Sequence, residues 1–403
     1  MRSKRRCPCQ QAQPLVAAKS KMYSLSAYGS MIADRVRTEA YAEALRKTVR
    51  SGSVVVEIGT GPGIFGVLAC QLGAGKVYAI ESAEIIQIAR EVAAANGCAG
   101  KIEFFEQLSD RVTLPVRADV IFSDLRGILP FFERHIPAIV DARRRFLGPG
   151  GILIPRKDTL LAAIVEAPKP YGELADPWEK NPFGHNLNPA RDLAVNAIQK
   201  MRPSPDQLLT AHRLWTALDY ASVDNPDAAG SLEWTVERAG TGHGIIVWFD
   251  TDLADGVGFS NAPGTPETVY GSFFFPWTQP TPLVEGQTVC VRLTAKLVES
   301  DYIWRWTTRI EPPEGSRDPS IHFDQSQLGG AVLSIEQLHR AAADYIPNLS
   351  EEGRLRRRAL ELMNGELSLE QIAHVLVKEF PQRFRGWQQA LSYAGEVSQE
   401  FSR

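Results

Sequence analysis

The segment from residue 54 to residue 81 constrains the fold of this chain more than any other. It reads as an apolar strand, a turn that contains Gly59 and Gly61, a helix, and a second apolar strand that ends at Glu81. This order predicts a βαβ unit of a doubly wound parallel sheet, in which ligands bind at the carboxyl ends of the strands. Glycines let the backbone approach a ligand closely, and a terminal acid can accept hydrogen bonds from ribose hydroxyls. The segment therefore predicts a nucleotide site.

The glycine spacing and the residue before the turn narrow the choice of nucleotide. A dinucleotide site needs Gly-x-Gly-x-x-Gly, whereas here the spacing is Gly-x-Gly-x-Gly and Ile64 stands where the third glycine of that pattern belongs. Glu57 precedes the turn, where an anion would repel phosphates but would suit an ammonium group. We therefore predict S-adenosylmethionine as the cofactor, with its amino group near Glu57 and its ribose at Glu81.

Length, composition and charge bound the remaining possibilities. The chain has 403 residues, of which 44% are hydrophobic and 23% charged, which is typical of a soluble globular protein with two or three domains. Its net charge of -3 gives no electrostatic case for binding nucleic acid or a membrane surface, and no apolar run is long enough to cross a bilayer. Five scattered cysteines favour a reducing, cytoplasmic location, and no second ligand pair lies near Cys7 and Cys9, so no metal site is predicted.

The order of predicted elements divides the chain into four parts. We expect a disordered basic tail at 1–22, an S-adenosylmethionine-binding domain of alternating strands and helices at 23–155, an antiparallel β-barrel-like domain at 156–315, and a helical domain at 330–403. The last helix of the cofactor domain is expected from about residue 130 to 146. The predicted fold class is thus α/β, a doubly wound Rossmann-like sheet followed by an antiparallel β-barrel-like domain and a helical tail.

Over about residues 23–310 the order of motifs resembles that of the protein arginine N-methyltransferases, a family of class I S-adenosylmethionine-dependent methyltransferases. The segment at 31–38 is similar to the one that precedes the first strand in this family, which implies that Arg37 binds the carboxylate of the cofactor. Ser109 and Asp110 match the positions beside the adenine. The resemblance also implies a protein or peptide substrate, and a homodimer formed through the Pro- and Asn-rich insert at 170–205.

The loop that follows the fourth strand gives the most specific match. In the family, a hairpin here carries two glutamates that grip the target guanidinium, and the match implies that Asp124 and Glu133 are the catalytic acids. Paired carboxylates suit this task because a guanidinium is a planar fork of donors. This chain departs from the pattern in two ways. Asp124 is one methylene shorter than glutamate, and Arg126, if turned inward, would pair with Asp124 or Glu133 and block the site.

The antiparallel domain carries a partial match at 275–279. Trp277 and Gln279 agree with the family's Thr-His-Trp loop, which closes the substrate pocket, so the resemblance implies that Trp277 is a residue of the catalytic site. Pro276 stands at the position of the histidine, and any role of that histidine is missing here. Tyr23 and Tyr28 approximate the family's first substrate-side tyrosines.

These departures leave three functions open. The leading one is N-methylation of arginine in a protein or peptide. The second is a methyltransferase that acts on a small molecule or another peptide group in a biosynthetic pathway, and the third is a cofactor-binding scaffold that has lost its activity. The tail beyond residue 330 lies outside the resemblance, and residues 364–380 weakly resemble winged-helix modules that bind leader peptides, although a helical cap is the favoured interpretation.

Overall fold

The computed structural model describes residues 23–332, 334–340 and 342–402, and it divides into two compact units after Ala331. The predicted tail at 1–22, which includes Cys7 and Cys9, lies outside the described residues. In the part of the chain that is described, no helix has the length and apolar character needed to span a membrane.

The first unit begins with a parallel sheet flanked by helices. Its elements in chain order are α1 (Leu25–Ala33), α2 (Arg35–Thr48), β1 (Val54–Ile58), α3 (Ile64–Gln71), β2 (Lys76–Ile80), α4 (Ile86–Ala95), β3 (Ile102–Phe105), β4 (Ala118–Ser123), α5 (His135–Arg145) and β5 (Leu147–Ile154). The strand order is β3-β2-β1-β4-β5, and every neighbouring pair is parallel. The order reverses between β1 and β4, so a ligand crevice is expected at the carboxyl ends of these two strands. The predicted Rossmann-like sheet is confirmed.

Two antiparallel sheets follow in the same unit. The elements in chain order are β6 (Lys157–Val165), α6 (Pro168–Glu179), α7 (Asn188–Ala194), β7 (Gln199–Met201), β8 (Arg213–Asp219), β9 (Ala228–Thr235), β10 (Gly240–Ala254), β11 (Val257–Ser260), β12 (Ser272–Leu283), β13 (Thr288–Val298), β14 (Asp301–Ile310) and β15 (Ile321–Ser326). One sheet has the order β7-β12-β10-β6-β8 with β11 added to β10, and the other has the order β15-β14-β13-β9. Buried residues alternate along β14, as expected of strands with one face in a core. Both sheets contribute to one hydrophobic core, which also includes residues of the parallel sheet.

The predicted insert contains α6, α7 and β7. Tyr171 and Ala175 on one face of α6 pack against Ile246, Trp248 and Phe274 of the underlying sheet. Between the two helices, Phe183 leaves 78% of its surface exposed. The insert is therefore anchored along its length and presents an aromatic residue at its tip.

The second unit is helical where it is described, with α8 (Ile335–Arg340), α9 (Glu351–Leu362), α10 (Leu369–Glu379) and α11 (Trp387–Phe401). Ser368 caps α10, because its hydroxyl accepts from the Gln371 amide at 3.3 Å and the Gln371 side chain accepts from the Ser368 amide at 2.8 Å. Leu355, Ile372 and Leu376 belong to a hydrophobic core that is made up of residues of this unit. Residues 334–340 and 342–402 contain no strand.

Candidate active site

The glycine turn after β1 and the acid after β2 lie side by side, as the βαβ pattern predicts. Gly59 and Gly61 adopt positive φ angles of 77° and 51°, which side chains rarely tolerate. The Glu81 carboxylate accepts from the Gly61 amide at 3.1 Å and from the Ala83 amide at 3.0 Å. The glycine turn and Glu81 therefore lie together at one edge of the parallel sheet, where a ligand can approach the backbone of the turn closely.

Glu57 lies beneath this turn rather than in the open. The residue is 2% exposed, and its carboxyl group accepts hydrogen bonds from the Thr60 hydroxyl at 2.6 Å and from the Gly66 amide. Burial, opposed by these two hydrogen bonds and assisted by the nearby Glu81, raises the pKa of Glu57 to about 8. The sequence predicts an anion at this position, whereas burial in the structure favours the neutral carboxyl group.

Two tyrosines at the start of the described chain cover the same edge. A Cβ added to Gly61 would meet the Tyr28 ring at 3.0 Å, so this ring lies directly over the turn. The rings of Tyr23 and Tyr28 pack edge to face with their centroids 5.8 Å apart. Burial raises the pKa of Tyr23, and the negative charges of Glu133 and Asp124 add to the effect.

Arg37 and Asp124 contact each other directly. Arg37 Nε donates to Asp124 Oδ2 at 2.6 Å, and a terminal nitrogen of the same guanidinium lies 2.5 Å from that oxygen. The Tyr270 hydroxyl donates to it at 2.6 Å. The Arg37 backbone is fixed by Asp34, whose side chain accepts from the Arg37 amide at 3.1 Å and from the Val269 amide at 2.7 Å. The predicted cofactor ligand and the predicted catalytic acid are therefore neighbours.

Arg126 turns inward, and of the two acids considered for it, Asp124 is its partner. Arg126 Nε lies 3.2 Å from Asp124 Oδ1, and one terminal nitrogen donates to Asp158 at 2.8 Å and to Thr251 at 2.9 Å. The other terminal nitrogen donates to the Tyr41 hydroxyl. Asp124 thus faces two arginines, and its negative charge is matched within the protein.

Glu133 differs from Asp124 in both exposure and backbone conformation. It is exposed at the end of the loop, and its φ of 41° lies in the left-handed region. Partial burial raises the pKa of Glu133, and the neighbouring Asp301 at the start of β14 raises it further. Of the two predicted acids, Glu133 is the one left open to a ligand.

Ser109 and Asp110 form part of a short 3-10 helix after β3. Ser109 is buried, and its carbonyl accepts from Arg145 at 2.7 Å. The Asp110 carboxylate lies 4.0 Å from a guanidinium nitrogen of Arg134, the residue after Glu133. Asp110 therefore faces the end of the loop that carries Glu133.

The structure does not support direct contact between Trp277 and a ligand. The Trp277 side chain is completely buried, and its ring packs 5.8 Å from the Phe323 ring and under Gly242. The segment of this domain that reaches Arg37 and Asp124 lies just before β12, where the Val269 amide donates to Asp34 and the Tyr270 hydroxyl donates to Asp124.

Sequence reasoning missed Tyr270, Asp158 and Tyr41 as residues of this region. None of them belongs to a recognisable motif, and each has its partner far along the chain. Tyr270 is 146 residues away from Asp124, and Tyr41 is 85 residues away from Arg126. No local signal marks such contacts.

Comparison with known proteins shows which families this chain resembles. A family described as "Ribosomal protein L11 methyltransferase (PrmA)" matches residues 36–167. The chain is 30% identical over 252 residues to "Probable protein arginine N-methyltransferase 6" of Arabidopsis thaliana, covering 60% of this chain and 57% of that protein. It is 32% identical over 308 residues to "Probable histone-arginine methyltransferase 1.4" of the same plant, covering 69% of this chain and 56% of that protein. The chain thus spans little more than half the length of these two relatives.

A solved structure extends the likeness to the fold. The structure of protein arginine methyltransferase 10 from Arabidopsis thaliana superposes with a TM-score of 0.66 at 22% identity, over 75% of this chain and 98% of that one. Both antiparallel and parallel sheets are present in this chain in the order that the sequence predicts. The comparisons confirm the predicted resemblance: the chain is a divergent relative of the protein arginine N-methyltransferases, with a helical unit after its antiparallel sheets.

Proposed function

We propose that this chain is an S-adenosylmethionine-dependent methyltransferase that N-methylates arginine in a protein or peptide. The observation that carries the proposal is the contact between Arg37 and Asp124, because it joins the predicted cofactor edge to the predicted acceptor acids at the switch point of the sheet. The sequence similarity to proteins named arginine N-methyltransferases supports the same reaction.

The residues present fit the proposed cofactor. Glu81 carries a partly exposed carboxylate beside the backbone of the glycine turn, which suits ribose hydroxyls. Arg37 already holds one carboxylate, that of Asp124, and its guanidinium can turn to the carboxylate of the cofactor. When bound, the cofactor supplies an activated methyl group on a sulfonium.

The acceptor side of the reaction falls to Glu133. A carboxylate that is open to a ligand can accept hydrogen bonds from a guanidinium and orient one of its nitrogens for direct displacement. The nitrogen that gains a methyl group must lose a proton. Its exposed position and the raised pKa, which makes a carboxylate a stronger base, support Glu133 as the acceptor of this proton.

Three further proposals concern the setting of this reaction. We propose a homodimer formed through the insert at 170–205, supported by the exposed Phe183. We propose a cytoplasmic location, supported by the free thiols of Cys70, Cys98 and Cys290. A small-molecule acceptor remains the second candidate, because the charge of Asp124 is already matched by two arginines.

The test uses labelled cofactor and a cell lysate, with the labelled product located by mass spectrometry. Glu133→Gln should leave cofactor affinity within about twofold and lower kcat/KM by roughly 100-fold or more, because a neutral amide neither holds the cation nor accepts its proton. Glu299→Gln is the matched control, since Glu299 is also exposed and also has a positive φ, of 57°. Label on a group other than arginine, or equal rates for the two variants, would contradict the proposal.

A further inference from the structure

A continuous chain of buried polar side chains runs behind the loop between β4 and α5. Arg126 donates to one oxygen of Asp158 at 2.8 Å, and the Tyr220 hydroxyl donates to the other oxygen at 2.5 Å. The same hydroxyl lies 2.9 Å from His135 Nε2. All four side chains are buried, and Asp158 and Tyr220 come from the antiparallel sheets, at β6 and directly after β8.

The chain of contacts reaches both ends of the loop that carries the two acids. At the start of the loop, Asp124 follows the last residue of β4 and receives Arg126 Nε at 3.2 Å. At its end, His135 is the first residue of α5 and stands two residues after Glu133. One buried network therefore ties the two acid-bearing ends of the loop to the antiparallel sheets.

Burial of an ion pair at this place calls for an explanation other than stability. The side chains of Arg126 and Asp158 are both completely inaccessible, and burial raises the pKa of Asp158 although Arg126 opposes the effect. A buried ion pair is often no more stabilising than apolar groups of the same size, whereas breaking it is costly. The rings of Phe249 and Tyr270 lie 5.2 and 5.8 Å from the Arg126 guanidinium and restrict it further. This environment holds one side-chain geometry rigidly.

We infer that Arg126, Asp158 and Tyr220 are positioning residues for methyl transfer. Arg126 holds the Asp124 carboxylate in place, and Tyr220, bound to Asp158, holds His135 and with it the end of the loop that carries Glu133. The separation of the two acids is thereby set by residues of the antiparallel sheets. The inference rests on the proposed function of the loop, but its first consequence, the rigidity of residues 124–135, does not depend on catalysis.

Tyr220→Phe tests the network with the loss of one hydroxyl. Hydrogen exchange should become faster in residues 124–135 and stay unchanged in the glycine turn, and kcat should fall roughly 10-fold to 100-fold while cofactor affinity stays within about twofold. Tyr171→Phe is the matched control, because it also removes the hydroxyl of a buried tyrosine. That hydroxyl lies outside the network and donates to the backbone carbonyl of Thr278. If exchange and kcat of Tyr220→Phe equal those of the control, the inference is wrong.

A pair of substitutions separates positioning from stability. Arg126→Met alone leaves the Asp158 charge buried without its cation, so the melting temperature should drop sharply. Adding Asp158→Asn removes that charge and should restore the melting temperature while kcat stays low, because Asp124 keeps its contacts with Arg37 and Tyr270 but loses its link through Arg126 to Asp158. Recovery of both quantities in the double variant would overturn the inference. If the wild-type protein transfers no methyl group to any acceptor, the proposed function fails, and the exchange measurement still decides whether the network orders the loop.

Discussion

The buried carboxyl group of Glu57 predicts an unusual dependence of stability on pH. An exposed glutamate titrates near pH 4.5, whereas burial raises the pKa of Glu57 in the folded protein to about 8. Between these two values the folded state binds one proton more than the unfolded state. The contribution of Glu57 to stability is therefore fully present below pH 4.5 and is lost as the pH rises toward 8.

The size of the effect follows from the width of this window. Inside it, the free energy of unfolding falls by about 1.4 kcal/mol for each pH unit. From pH 5.5 to pH 7.5 the loss due to Glu57 is about 2.5 kcal/mol. Glutamine has nearly the same shape as glutamate and does not ionise, so Glu57→Gln should remove this loss.

The assay is urea denaturation of both proteins at several pH values, followed by tryptophan fluorescence. Other groups also titrate, and burial together with the Arg126 charge lowers the pKa of His135 to about 3, which makes stability fall at acid pH. Such groups are common to both proteins, so the difference between them isolates Glu57. Glu91→Gln, at an exposed position on α4, serves as the control.

Parallel pH profiles for wild type and Glu57→Gln would refute the reasoning. They would mean that the Glu57 carboxyl group is ionised in the folded protein, as the sequence interpretation assumed. The donors Thr60 and Gly66 would then outweigh the cost of burying the charge.

Two further predictions concern the cofactor and the assembly. Glu81→Ala should weaken S-adenosylmethionine binding by roughly 1–3 kcal/mol, the loss expected for charge-assisted hydrogen bonds, and calorimetry that gives an unchanged affinity for the folded variant would sink the ribose assignment. If the insert forms a dimer interface, Phe183→Asp should convert the homodimer into a monomer in light scattering, while Phe380→Asp, in the other unit, should not. A wild-type chain that is already monomeric would rule out the interface.

The local parts of the fold were the predictable ones. The βαβ unit was evident because strand, turn, helix and terminal acid follow each other within 28 residues, and the strands expected at 102–105 and 119–122 correspond to β3 and β4. The helix expected from about residue 130 begins only at His135. The reason is that residues 130–134 continue the loop, where Glu133 adopts a left-handed conformation that an α-helix excludes.

The chemistry of the site was harder to predict because it depends on how deeply each side chain is buried and on contacts between residues that are far apart in the sequence. A sequence pattern identifies Glu57 as an acid before a turn, but it does not show that the fold buries this residue and raises the pKa of its carboxyl group. The pattern places Arg126 between two acids, but it does not show that Arg126 also pairs with Asp158, 32 residues away. A short motif match likewise does not show that the Trp277 side chain is completely buried, because it takes no account of whether a strand residue faces a core or a cleft.

The double role of Asp34 has a consequence for how a cofactor enters and leaves. One oxygen of this carboxylate caps α2 by accepting a hydrogen bond from the Arg37 amide. The other oxygen accepts from the Val269 amide at the edge of the antiparallel sheets. Tyr28, whose ring lies over the glycine turn, belongs to the segment just before Asp34. The Asp34 side chain therefore links the end of this segment to the antiparallel sheets. A movement of Tyr28 on cofactor exchange would therefore act through Asp34 on Val269, the residue before Tyr270, whose hydroxyl donates to Asp124.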